Sequence, residues 1–219
     1  MANHTTLKQE TDEARDQFLG SLPSETKQTV DQAFAKLLSS DIGQNAKNVG
    51  DIAPNIILEN AAGQNTNLQD LLKKGPVVLN FFRGGWCPFC NLEFKALHDR
   101  LAEINALGAS LIGISPEKPK VSLETNKKFE LQFDVLCDVG NKVARDYGLL
   151  MTVDETLRPL YDDWGIDVPA ANGDDTYELP MPATYIIDRN GVIRSAFVEK
   201  DYTQRMEPED IVNALKALN

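Results

Sequence analysis

The chain has 219 residues, 42% hydrophobic and 25% charged, with 33 acidic against 22 basic side chains and a net charge of −11. That length suits one globular domain with an extension, and the dispersed acidic balance excludes nucleic acid and anionic membrane surfaces as partners. Three cysteines exclude a secreted disulfide framework, no apolar run is long enough to span a membrane, and a polar N-terminus without an apolar h-region makes the cytoplasm the expected compartment.

In chain order, residues 1–45 read as a helical, polar extension. Leu7, Ala14, Phe18 and Leu19 lie at roughly helical spacing, Leu22-Pro23-Ser24 breaks the pattern with Ser24 as N-cap, and Val30, Ala33, Phe34, Leu37 and Leu38 form an apolar stripe. Such a stripe must be buried, either on its own domain or against a second copy of the chain in a homodimer. Ile42-Gly43-Gln44-Asn45 reads as a linker, and residues 46–219 as the main domain.

There the expected elements are a strand over Pro54–Glu59, a short helix around Leu68–Leu72, and a buried strand over Val77–Phe82. A long helix over Pro88–Leu107 follows, then a strand over Leu111–Ser115, a helix over Lys118–Leu131 and a strand over Asp134–Cys137. After a short helix at Val143–Tyr147 and an excursion over 149–181, two strands, Ala183–Ile187 and Val192–Val198, flank the hairpin turn Asp188-Arg189-Asn190-Gly191. A helix over Pro208–Leu218, with proline at its first position, closes the chain. Alternating strands and helices followed by a hairpin and a last helix define an α/β fold with a mixed sheet and helices on both faces.

The run Val77–Cys90, VVLNFFRGGWCPFC, carries the chemistry. A Cys-x-x-Cys between a buried strand and a helix start reads as a redox-active dithiol, because residues three apart share a helix face. Structural zinc needs four ligands, and Cys137, His4 and His98 supply no second pair, so neither metal nor cofactor is expected. Pro88 suits the first helical position, which makes Cys87 the N-cap. Its sulfur there faces the free N–H groups of Phe89 and Cys90 at the positive end of the helix. Cys87 is then the exposed nucleophile of low pKa, and Cys90, one turn in, the resolving thiol. Trp86 either shields the dithiol or packs its loop, and Cys137 reads as a small core residue.

The element order, with Trp-Cys-x-x-Cys at the helix start, resembles a thioredoxin fold. The segments NVGDIAPNIILENAAGQNTNLQDLL, FDVLCDVGNKVARDYGL and TYIIDRNGVI resemble the alkyl hydroperoxide reductase/peroxiredoxin family over roughly residues 48–217. The family's Pro-x-x-x-Thr-x-x-Cys, laid over this loop without gaps, puts its proline on Arg83, its threonine on Cys87 and its peroxidatic cysteine on Cys90, while its distant arginine falls on Pro182. The resemblance therefore implies Cys90 as the attacking thiol, the reverse of the helix-start argument. Arg83 is either a substitute for the lost family arginine, beside the thiolate or leaving oxygen, or an exposed strand-end arginine. Pro182 resembles the cis-proline that faces the dithiol in thioredoxins. The resemblance further implies a hydroperoxide or disulfide substrate and a thioredoxin-type protein reductant. A redox sensor using the same dithiol as a switch is the non-enzymatic alternative.

Overall fold

The computed structural model describes residues 5–218. Two helices lead, α1 (Leu7–Ser21) and α2 (Ser24–Ser39). Thr6 and Gln9 form a capping box at α1, each side chain accepting from the other's backbone N–H. Ser24 is not the N-cap of α2 but its first residue. Pro23 holds the cap position at φ −54°, ψ 148°, since the pyrrolidine ring fixes φ and an extended ψ turns the chain into the helix.

Then come β1 (Ile57–Glu59), β2 (Asn65–Asn67), α3 (Leu68–Leu72), β3 (Val77–Phe81), α4 (Pro88–Ala106), β4 (Ser110–Ser115), α5 (Pro119–Lys128), β5 (Asp134–Cys137) and α6 (Lys142–Asp146). The excursion is folded rather than irregular. It holds β6 (Leu150–Thr152), α7 (Arg158–Asp163), α8 (Val168–Asn172) and β7 (Glu178–Pro180), with β6 and β7 paired antiparallel. Strands β8 (Ala183–Ile187) and β9 (Ile193–Val198) and helix α9 (Pro208–Lys216) end the chain.

The central sheet has the order β5-β4-β3-β8-β9. Strand β3 runs parallel to β4 and antiparallel to β8, with Phe81 opposite both Ile114 and Ala183. All five β3 residues are buried, as a strand covered on both faces requires. Leu79 and Phe81 point to one core, with Tyr147 and Tyr185; Val78 and Phe82 point to the other, with Phe94 and Ile104 of α4. The β8–β9 turn closes on Gly191 at φ +79°, a left-handed conformation that glycine adopts at no steric cost.

Met181 and Pro182 join β7 to β8. The expected cis bond is absent: the Met181–Pro182 peptide is trans. Met181 donates its N–H to the Leu149 carbonyl at 2.7 Å and lays its side chain against Gly43 of the presumed linker.

The apolar stripe of α2 is taken up within the chain. Val30 and Ala33 are buried, Phe34 meets Tyr202 edge-on at 5.6 Å, and Leu37 packs on the main core, while Leu38 remains 44% exposed. Helix α1 lies along α4, and Phe18 meets Trp164 edge-on at 5.1 Å. The pair lies over the C-terminal end of β3, where the dithiol is.

Candidate active site

Strand β3 ends at Phe81, and the loop to α4 is tied back by the Phe82 N–H on the Ile114 carbonyl. Gly84 and Gly85 let this loop close tightly. Gly84 has φ +152°, and a Cβ there would lie 2.3 Å from Trp86 Nε1; one at Gly85 would meet Thr125 Oγ1 at 2.1 Å. The Gly85 N–H donates to Glu117 Oε1 at 3.0 Å. Cys87 is the N-cap of α4 and Pro88 its first residue, and the Cys87 carbonyl accepts the first helical bond from Asn91.

Both sulfurs are free thiols and both are fully buried. The expected exposure of Cys87 is therefore wrong: the N-terminal helices and the α7 region cover it, with Phe18, Val30, Trp164 and Tyr202 around a chamber that opens on Cys87. Nor does an N-cap hydrogen bond to the Cys87 sulfur close at ordinary geometry. The Cys90 N–H acts on it as a nearby oriented dipole. Burial by itself raises the Cys87 pKa. Against that, the Cys90 thiol donates to its sulfur and the Arg83 and Arg205 guanidiniums attract the thiolate, and together they bring it down to about 5. Cys90 moves the other way, well above the ordinary thiol value, because it is buried and its proton is held toward Cys87. The surroundings thus favour the thiolate on Cys87 over Cys90.

Arg83 is buried, not an exposed strand-end side chain. One terminal nitrogen donates to Tyr161 Oη, and its guanidinium lies 4.4 Å from the Tyr202 ring and 5.0 Å from the Trp86 ring. Aromatic faces offset part of the cost of burying a cation. Its Nε–H is buried without a hydrogen-bond partner among the described residues. Trp86 is half-buried, stacked against Arg83, 5.8 Å from the Tyr161 ring, and lines the chamber over Cys87.

Two residues essential to this geometry went unnoticed in the sequence. Arg205, in the loop before α9, donates from Nη2 to Cys90 Sγ at 3.3 Å and from Nε to Glu93 Oε2 at 2.6 Å. Its Nη1 donates to the carbonyls of Tyr202 and Gln204 at 2.6 and 2.7 Å, which fixes the guanidinium in place. Glu93 also accepts from Asn80 Nδ2 at 2.8 Å. Burial, opposed by Arg205, raises the Glu93 pKa to about 7, and burial raises Glu117 to about 7 as well. Glu93 stands one helical turn beyond Cys90, a spacing that does place it on the same face. Arg205 carries no comparable signal, because a loop residue has no periodicity.

Pro182 is buried at the head of β8, and the chamber over Cys87 is walled by other residues. Cys137 pairs opposite Ser115 in the sheet, and burial raises its pKa. Among the described residues no cluster of His, Cys, Asp or Glu could hold a metal ion; His4 lies outside them.

A mixed sheet with a Cys-x-x-Cys capping the helix after its central strand defines a thioredoxin-fold dithiol protein. The AhpC/TSA family model matches residues 49–196, and the chain belongs to that family. It is 31% identical over 160 residues to a chloroplastic peroxiredoxin Q of Oryza sativa subsp. japonica, which covers 73% of this chain and 61% of that protein. The thiol-disulfide oxidoreductase ResA of Geobacillus thermodenitrificans is 26% identical over 171 residues, 78% of each chain. The crystal structure of peroxidoxin BcpB from Mycobacterium tuberculosis superposes with a TM-score of 0.62 at 20% identity, covering 78% of this chain and 98% of that one. The chain thus spans less than two thirds of the rice relative, and BcpB speaks for the fold alone.

Proposed function

We propose that the protein is a thiol peroxidase working through a Cys87/Cys90 dithiol–disulfide cycle. The observation that carries this is the placement of Cys87. It is a low-pKa thiol at a helix start, wholly buried, facing a chamber of about 120 Å³ with the arginine Arg83 in its wall. A chamber of that size suits a small electrophile better than a polypeptide. The Cys87 thiolate attacks the terminal peroxide oxygen, and the leaving oxygen departs into the chamber that Arg83 lines. Cys90, held by Arg205, condenses with the Cys87 sulfenic acid to a disulfide and water. A thioredoxin-type dithiol then reduces the disulfide by exchange.

The second reading is a protein disulfide reductase, favoured by the Trp-Cys-Pro-Phe-Cys motif and the likeness to ResA. It requires α1 and α2 to move off Cys87 before any substrate chain arrives. A reducing, cytoplasmic setting is part of the proposal, supported by three cysteines in 219 residues. For a homodimer, the N-terminal helices offer their outer faces, since the inner stripe is engaged within the chain. Steady-state peroxide consumption with thioredoxin and its reductase, for wild type, Cys87→Ser and Cys90→Ser, tests the proposal, with insulin disulfide reduction run alongside. Peroxide turnover lost in Cys87→Ser supports it; rapid insulin reduction without peroxide turnover selects the second reading.

A further inference from the structure

The walls of the chamber over Cys87 come from two sources. Trp86 and Trp164 belong to the stretch matched by the family, whereas Phe18 and Val30 come from α1 and α2, outside it. Nearly all of the surface they present is apolar. A second chamber of about 430 Å³ shares Arg83, Leu157, Tyr161 and Tyr202 with the first and leads outward between α2 and the 151–158 segment.

The geometry points to the N-terminal helical pair as the specificity element of the site, with Phe18 and Val30 selecting organic hydroperoxides that carry a compact branched alkyl group. This rests on the peroxide-reducing reading above and adds the substrate class and the residues that choose it. Hydrogen peroxide brings only polar atoms, which an apolar wall cannot satisfy. An alkyl group removes apolar surface from water on the same wall. An apolar cavity of about 150 Å³ accommodates benzene, so one of about 120 Å³ suits a tert-butyl group better than a cumyl group. The step balances with these partners. The Cys87 thiolate forms an S–O bond to the terminal oxygen, which keeps its hydrogen. The O–O bond breaks with its electron pair on the alkoxide beside Arg83, and the alkoxide takes a proton from water to leave as the alcohol. Sulfur is oxidised by two electrons and the peroxide is reduced by two.

The test compares kcat/KM for tert-butyl hydroperoxide, cumene hydroperoxide and hydrogen peroxide in wild type, Val30→Phe and Phe18→Ala. Wild type is expected to prefer the tert-butyl substrate. Val30→Phe fills the chamber and should lower the tert-butyl to hydrogen peroxide ratio by about tenfold or more. Phe18→Ala opens it and should raise the cumene to tert-butyl ratio by about fivefold. A second readout uses no turnover. Trp86 and Trp164 are the chain's two tryptophans and both line the chamber, so adding tert-butanol to Cys87→Ser should change their emission saturably, and Val30→Phe should abolish that change. Should Val30→Phe fail to fold, Phe18→Ala, at a half-buried position, decides alone. Ratios within twofold of wild type in the folded variants overturn the inference and leave the peroxidase reading standing. A wild type that consumes no peroxide overturns both.

Discussion

The sheet with its dithiol and the N-terminal helical pair are held by different physics. In the first, β3 is buried on both faces and Arg205 is locked by four hydrogen bonds out of reach of water. The second buries only a few apolar side chains, Leu7, Val30 and Ala33 among them, and adds edge-on aromatic contacts, partly exposed ion pairs such as Lys36–Asp154 at 2.7 Å, and the Leu7 and Lys8 N–H groups donating to Glu207. The difference teaches a division of labour. In the proposed scheme the sheet region sets how reactive Cys87 is, and the helical pair sets what reaches it.

The largest break is expected in the sheet region. Cys87→Ser should abolish peroxide consumption, while Cys90→Ser should accumulate a sulfenic acid on Cys87, read by dimedone labelling and mass mapping. A sulfenic acid found on Cys90 in the Cys87→Ser protein, with none on Cys87 in Cys90→Ser, reverses the order of attack. Arg205→Met comes next. It leaves the Glu93 carboxyl buried without its ion-pair partner, a loss of about 3–5 kcal/mol, measurable by urea unfolding. Glu93 can limit the damage by taking up a proton, given its pKa of about 7.

The charge on Cys87 gives a pH test. Its pKa of about 5 in the folded protein lies below the unfolded thiol value of about 8.5. Between the two the unfolded chain binds the extra proton, so the reduced wild type gains stability over Cys87→Ser as pH rises through that window. The gain is fully present above the unfolded value and lost as pH falls through the folded one. The slope is at most about 1.4 kcal/mol per pH unit. A difference flat in pH shows that Cys87 is not the thiolate.

Smaller effects should follow in the helical pair. Phe34→Ala removes an aromatic contact worth about 0.5–1.5 kcal/mol beyond its buried area. It should speed alkylation of Cys87 without moving the midpoint of its pH profile; a shifted midpoint denies the separation of access from reactivity. The smallest is Lys36→Met. Lys36 is largely exposed, so solvent screens its ion pair with Asp154, and its loss should leave the urea midpoint and the alkylation rate close to wild type.

What the sequence determined by itself is what depends on neighbours along the chain. The buried run Val77–Phe81, the cap at Cys87 set by Pro88, the strands Asp134–Cys137 and Ala183–Ile187 and the helix opening at Pro208 all follow from apolar runs, turn residues and proline chemistry. The tertiary structure alone decided the rest. Arg205 reaches Cys90 across 115 positions and Glu93 across 112, and Phe18 and Val30 come over a cysteine far from them in the chain. The burial of Cys87 and Arg83 and the trans bond before Pro182 depend on how separate elements pack and join. Periodicity encodes which side of an element is apolar, not which distant side chain will complete a charge or close a wall, because those pairings exist only once the sheet has brought the segments together.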